Sequence, residues 1–142
     1  MPDHEQRSES PGARPDEGRA PGRVAAPATV ALQMEDLAVW LAERVAKFAR
    51  AHKFTVGDRI VMQAIEVCAL LAEAAFTRDK VALVRDASKA LFRLQASARL
   101  AERLHLLSER QYAYFATQSA EVGRQIIGWQ RHSQRKASAV SA

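Results

Sequence analysis

Hydrophobic residues recur along most of the chain at intervals of three and four, which is the spacing of an amphipathic helix. Residues 58–122 contain neither glycine nor proline, and alanine, leucine, arginine and glutamate dominate this stretch. Such a composition favours helix over strand. The pattern therefore predicts four helices, at about residues 34–51, 55–75, 79–104 and 108–131.

Local signals mark the starts of three of these helices. Ser108 is followed three residues later by Gln111, which is the capping-box pattern for the fourth helix. Thr55 and Asp58 have the same spacing at the start of the second helix, and Asp79 is the expected N-cap of the third. Residues 52–54 interrupt the hydrophobic pattern between the first two helices. Four helices joined by short loops predict an all-α, up-down antiparallel four-helix bundle.

The composition changes sharply near residue 28. All five prolines and three of the six glycines lie in the first 27 residues, which hold few large apolar side chains. We therefore expect a disordered Pro/Arg-rich tail over residues 1–28, the bundle domain over residues 29–132, and a flexible C-terminal end over residues 133–142. The length of 142 residues, of which 48% are hydrophobic, fits one domain with a real core.

The basic charge belongs to the part predicted to fold. Residues 1–28 hold four arginines against five acids, and the rest holds 17 Lys and Arg against 11 Asp and Glu, a net charge of +6. Such an excess of basic residues favours an acidic partner, for which nucleic acid is the usual candidate. No run approaches the roughly eighteen apolar residues of a membrane span, and the N-terminus lacks the pattern of a signal peptide. We expect a cytoplasmic protein.

Candidate catalytic chemistry is sparse. The four histidines form no set with metal-ligand spacing, and glycine-rich phosphate loops, nucleophile elbows and Cys-x-x-Cys pairs are missing from the sequence. The single cysteine, Cys68, falls on the inner side of the second helix, where a free thiol is usually inert. The sequence predicts a protein that is not an enzyme and that holds neither a metal nor a cofactor.

The third helix carries the strongest functional signal. At about 100° per residue, five basic residues fall within an arc of about 120° that contains no acid and lies opposite the inner stripe. Phe92 and Leu100 lie in the same arc, where they would stack on bases or bury against another protomer. A solvated basic face is the third possibility. The five basic residues are Arg85, Lys89, Arg93, Arg99 and Arg103.

A glycine in the fourth helix also requires a reason. Gly123 lies in the middle of the apolar stripe of the fourth helix. A glycine inside a helix lowers the stability of the helix by about 1 kcal/mol relative to alanine. Small residues on one face let a neighbouring helix approach closely. That neighbour lies either inside the bundle or in another subunit, so Gly123 joins Phe92 and Leu100 as a candidate oligomer contact.

Three stretches of the chain resemble one protein family. Residues 53–60, Lys-Phe-Thr-Val-Gly-Asp-Arg-Ile, resemble the Phe-Thr-(Leu/Val)-Gly-x-Arg-Ile start of the second helix in the accessory variability determinant proteins of diversity-generating retroelements. Residues 106–112, Leu-Leu-Ser-x-x-Gln-Tyr, resemble that family's entry to its fourth helix. Residues 121–129, Glu-Val-Gly-Arg-Gln-Ile-Ile-Gly-Trp, resemble its ending, with Ile127 where a glycine is often found. The resemblance covers about residues 34–131.

The resemblance implies a non-catalytic subunit. Proteins of this family assemble as homopentameric barrels with a basic surface, and associate with the retroelement's reverse transcriptase and with nucleic acid. They support mutagenic copying of a template RNA into cDNA. Arg59 and Arg124 match the family's motifs, so together with the five basic residues of the third helix they are the expected contacts to phosphate or polymerase.

Other functions stay open at this point. A related four-helix family, encoded in intervening sequences of 23S ribosomal RNA genes, shares the architecture and would imply a protein-interaction bundle without a retroelement role. The basic surface would also suit an acidic protein. An enzyme whose site forms only between subunits is the last alternative.

Overall fold

The computed structural model describes residues 27–141, with side chains from residue 29 to residue 139. Within this part the chain is helical and has no strand. A short π-helical segment, Lys53–Gly57, lies between the second and third helices. The helices are α1 (Pro27–Val45), α2 (Arg50–His52), α3 (Asp58–Ala75), α4 (Val81–Arg103) and α5 (Glu109–Ser141).

The four long helices form a bundle around one core, which confirms the predicted all-α class. α1 packs against α3, α3 against α4, α4 against α5, and α5 closes against α1 in the least extensive of these contacts. The core is an unbroken cluster of apolar side chains to which every long helix contributes. Its largest fully buried members include Met34, Leu41, Ile60, Leu94 and Phe115.

α1 begins and ends earlier than the sequence predicts. It includes Pro27, which suits the first turn of a helix, and Val30 extends the buried stripe one turn before Met34. The interruption predicted at residues 52–54 is wrong, because the helix breaks at residues 46–49. There Ala49 has extended backbone angles (φ −54°, ψ 139°) that end the helical path. Of the predicted tail, residues 1–28, only Pro27 and Ala28 lie among the described residues.

The predicted capping box at Thr55 and Asp58 is also wrong. The Thr55 hydroxyl donates to the carbonyl oxygen of His52 at 3.3 Å, and the Asp58 N–H donates to backbone carbonyls of the π-helical segment. The segment instead approaches the end of α1 through Gly57, which is buried. A Cβ atom at this position would lie only 2.8 Å from Val45 Cγ1. The close approach therefore requires glycine.

The connection between α4 and α5 is held by backbone hydrogen bonds and a capping box. His105 has a positive φ of 59°, and its N–H donates to the Glu102 carbonyl at 2.9 Å. The Leu106 N–H donates to the Ala101 carbonyl at 2.9 Å, which completes a Schellman motif. The predicted capping box is confirmed: the Ser108 N–H donates to Gln111 Oε1 at 3.0 Å, and the Gln111 N–H donates to Ser108 Oγ at 3.1 Å.

Two other predicted helix ends differ from the structure. Lys80, not Asp79, is the N-cap residue of α4, and no side chain caps this helix. α5 continues to Ser141, ten residues past the predicted end at Arg131, so residues 133–141 of the expected flexible end are helical. After Gly128 the sequence has no glycine or proline to stop the helix, and Gln, Arg, Lys and Ala are good helix formers.

Candidate nucleic-acid interface

The outward side of α4 presents a row of basic residues, which we name the basic α4 face. All five basic side chains are exposed, whereas the opposite side of the helix is buried along its whole length. Phe92 and Leu100 lie among them and leave 72% and 51% of their surfaces exposed. The basic residues of this face are Arg85, Lys89, Arg93, Arg99 and Arg103.

These charges are not neutralised within the described part of the chain. The ion pairs found there join Arg44 to Glu43 and Arg124 to Glu121, and neither involves the basic α4 face. Like charges held on one exposed helix face repel one another, and only salt or an anionic partner screens that repulsion. The face is therefore suited to a polyanion or to an acidic protein surface.

Charge is divided between the two halves of the bundle. α1 and α3 each hold three acids and one arginine, a net charge of −2, while α4 and α5 each hold five basic residues and two acids, a net charge of +3. Since α1 packs against α3 and α4 against α5, the long helices give the bundle one acidic and one basic side, and Lys47, Arg50 and Lys53 add three positive charges at the connection between α1 and α3. Electrostatic attraction of a polyanion is consequently directed to α4 and α5.

The remaining predicted contact residues lie in different places. Arg124 is exposed on α5, on the basic side of the bundle, and its guanidinium contacts the Glu121 carboxylate. Arg59 is exposed at the start of α3, on the acidic side, where it lines a shallow open depression of about 550 Å³ with Phe54 and Met62. The structure thus brings together the five residues of α4, adds Arg124 from the neighbouring helix, and leaves Arg59 apart.

Gly123 faces the interior of the bundle. A Cβ atom at this position would lie 3.5 Å from Leu91 Cδ2 of α4, which is an ordinary van der Waals distance. Close by, Gln95 Nε2 of α4 donates to Ser119 Oγ of α5 at 3.3 Å. The sequence leaves open whether the helix that approaches Gly123 belongs to the same bundle or to a second subunit. The structure favours a helix of the same bundle, α4.

An apolar surface on α3 was not predicted from the sequence. Met62 and Ile65 are 63% and 51% exposed, and Phe76, just after the helix, is 94% exposed. The polar residues on this side indicate a solvated face when the sequence is taken alone. The signal that could have revealed the surface is the 3–4 spacing of Met62, Ile65 and Ala69 opposite the inner stripe. We name the outer α3 face as Met62, Ile65, Ala69 and Phe76 with the exposed acids Asp58, Glu66 and Glu73.

Cys68 is partly buried beside α1. Burial, with a smaller effect from the Glu35 carboxylate, raises the pKa of the thiol to about 11, so it is protonated at neutral pH. A protonated thiol is a poor nucleophile. In residues 27–141 no three His, Cys, Asp or Glu side chains come together in a way that could hold a metal ion. None of the helices in that range is long and apolar enough to cross a bilayer.

The chain matches no protein-family model, and comparisons with curated proteins and with solved structures give no match.

Proposed function

We propose that this protein is a non-catalytic accessory subunit of a diversity-generating retroelement. It binds the reverse transcriptase and the template RNA or cDNA through its basic side and so supports mutagenic reverse transcription. The observation that carries the proposal is the basic α4 face, where five exposed cations lie on one side of a helix without a neutralising carboxylate. The resemblance of residues 34–131 to the accessory variability determinant proteins supplies the retroelement role, the polymerase partner and the homopentamer.

Contacts of this kind position a nucleic acid without reading its sequence. Arginine and lysine side chains bind phosphate oxygens, which every nucleotide carries, and release condensed counterions as they do so. Affinity for RNA should therefore fall steeply as salt rises and should depend little on base sequence. A homopentamer would sum the charge of the folded parts, 5 × (+6) = +30, which deepens this dependence on salt.

The proposal is tested by reversing two charges on the basic α4 face. We expect Arg93→Glu with Arg99→Glu to weaken RNA binding, measured by fluorescence anisotropy over a salt series. The logarithm of the binding constant falls as the logarithm of the salt concentration rises. Loss of two phosphate contacts should make this negative slope less steep by about 1.4 for single-stranded RNA. Helicity by far-UV circular dichroism should not change, because both side chains are exposed.

The matched control reverses two exposed cations away from the basic side. Lys47→Glu with Arg50→Glu makes the same change in net charge at the junction of α1 and α2. If the control weakens binding as much as the α4 variant, the effect is that of net charge alone. If the α4 variant binds RNA like the wild type, α4 has no part in binding.

A protein-interaction bundle of the rRNA intervening-sequence type is the second candidate. It is favoured by the large apolar side chains exposed on α3 and α4, such as Phe92 and Met62, which nucleic acid alone does not require. In that case heparin would compete as well as structured RNA of equal charge, and the chain would not co-purify with a reverse transcriptase.

A further inference from the structure

The outer α3 face is an apolar surface without a partner in the bundle. At about 100° per residue, Met62, Ile65 and Ala69 fall within an arc of about 60° that is centred opposite the buried stripe of α3. Phe76 continues this arc past the C-terminal end of the helix. A lone bundle gains nothing by exposing such a row, whereas a contact with another protein surface would remove it from water.

The charges that flank this row on α3 are negative except for Arg59, which lines the same depression as Met62 and Glu66. Asp58, Glu66 and Glu73 lie on the same outward side of α3, are exposed, and form no ion pair in the described residues. The outer α3 face thus combines apolar residues with three carboxylates, and even with Arg59 beside it this side of the helix has a net negative charge. Its occupant should present apolar side chains between positive charges.

The basic α4 face has this complementary pattern. Phe92 and Leu100 project from α4 among five cations, with Ala96 between them on the same side of the helix. Both faces belong to each copy of the chain, and they lie on adjacent helices. Apolar contact in the centre with paired charges at the rim is the usual arrangement of a specific protein interface.

We propose that the occupant of the outer α3 face is the basic α4 face of a second copy of this chain. The interface is head-to-tail, since pairing two α3 faces would bring six carboxylates together and pairing two α4 faces would bring ten cations together. This inference rests on the proposed homo-oligomer and names the surfaces that form it.

The position of the two faces determines the form of the assembly. α3 and α4 occupy neighbouring corners of the bundle, so their outward faces do not point in opposite directions. A head-to-tail contact between such faces turns at every step, and it closes into a ring when the turns add up to a full circle. The outer α3 face supplies three carboxylates against the five cations of the basic α4 face, so at least two cations of each α4 face would remain unpaired in this contact.

The inference is tested by charge reversal on one face and then on both. Glu66→Arg with Glu73→Arg changes the outer α3 face from −3 to +1 and should raise the dissociation constant of the assembly by about tenfold or more. Adding Lys89→Glu, Arg93→Glu and Arg99→Glu changes the α4 face from +5 to −1, and part of the lost affinity should return. Sedimentation velocity of the full chain over a concentration series measures both effects.

An apolar variant and a control complete the design. Phe92→Ser should also weaken assembly, and it removes no buried side chain, so the bundle should stay folded by circular dichroism. Glu35→Arg with Glu43→Arg makes the same charge reversal on exposed positions of α1 and should leave assembly unchanged.

The outcomes separate this inference from the function proposed above. A wild-type chain that is monomeric at every concentration overturns both the homo-oligomer and the interface. An oligomer that is unaffected by the α3 variant and by Phe92→Ser overturns the interface alone. The α3 variant keeps the whole basic α4 face, so loss of its assembly with RNA binding by each chain retained supports the inference, and the RNA measurement tests the binding role of the basic α4 face independently.

Discussion

Replacing Gly57 by alanine tests the contact that fixes the π-helical segment to the end of α1. The backbone at Gly57 is helical (φ −61°, ψ −51°), so an alanine can adopt it without strain. The space cannot accept the methyl group, because a Cβ atom would lie 2.8 Å from Val45 Cγ1 and 3.4 Å from Phe48 Cδ2. Val45 and Phe48 are both buried in the core and have little room to move away.

The expected loss of stability follows from two opposing effects. Inserting a methyl group into a well-packed core costs about 1–3 kcal/mol. Alanine recovers up to about 1 kcal/mol through its higher helix propensity. We therefore expect Gly57→Ala to lower the free energy of unfolding by about 1–2 kcal/mol.

Gly123 provides the control, because the same substitution meets ordinary space there. Its Cβ atom would lie 3.5 Å from Leu91 Cδ2, which requires no movement of α4. Gly123→Ala should therefore raise the free energy of unfolding by up to about 1 kcal/mol through helix propensity. Both variants replace a glycine by alanine, and the structure predicts that Gly57→Ala lowers the free energy of unfolding whereas Gly123→Ala raises it.

Urea unfolding followed by far-UV circular dichroism measures both effects. The protein concentration must be held constant, because assembly would add to the apparent stability of the folded state. A Gly57→Ala variant as stable as the wild type would refute the close approach of the π-helical segment to Val45. A Gly123→Ala variant destabilised by about 1 kcal/mol or more would refute the open spacing between α4 and α5.

Two further predictions concern single residues. His105→Gly should raise the free energy of unfolding by about 1 kcal/mol, since glycine adopts the positive φ of 59° without the steric cost that other residues bear; a loss of stability in thermal unfolding would contradict the Schellman geometry. At pH 8 the Cys68 thiol should react with iodoacetamide on the order of a hundredfold more slowly in the folded chain than in guanidinium, because burial raises its pKa to about 11. The difference between the reaction rates of the folded and the unfolded chain should narrow as the pH rises toward 11. Equal rates for the two at pH 8 would show that the thiol is not buried.

Local signals predicted some parts of the fold well. The Ser108–Gln111 capping box marks the start of α5 because both of its hydrogen bonds lie within four residues of sequence. α4 runs Val81–Arg103 against a prediction of residues 79–104, since its apolar and basic residues keep one helical period throughout. The same period predicts the basic α4 face from the sequence alone, because all five cations fall on the side opposite the buried stripe.

Tertiary contacts explain where the sequence failed. Thr55 and Asp58 have the spacing of a capping box, but they lie in and next to a π-helical segment whose Gly57 packs closely against Val45. A contact between residues this far apart in the sequence cannot be read from the local capping pattern. The outer α3 face was missed for a related reason. Glu66 and Glu73 share that side of the helix, and polar residues at the rim of an interface cannot be distinguished by sequence from those of a solvated surface.

The DNA sequence on either side of the gene tests the retroelement role most directly. We expect a reverse transcriptase gene beside it, together with a pair of near-duplicate repeats whose copies differ mainly at template adenines. Flanking DNA with neither feature would contradict the role as an accessory subunit of a diversity-generating retroelement, whatever affinity the basic α4 face has for RNA.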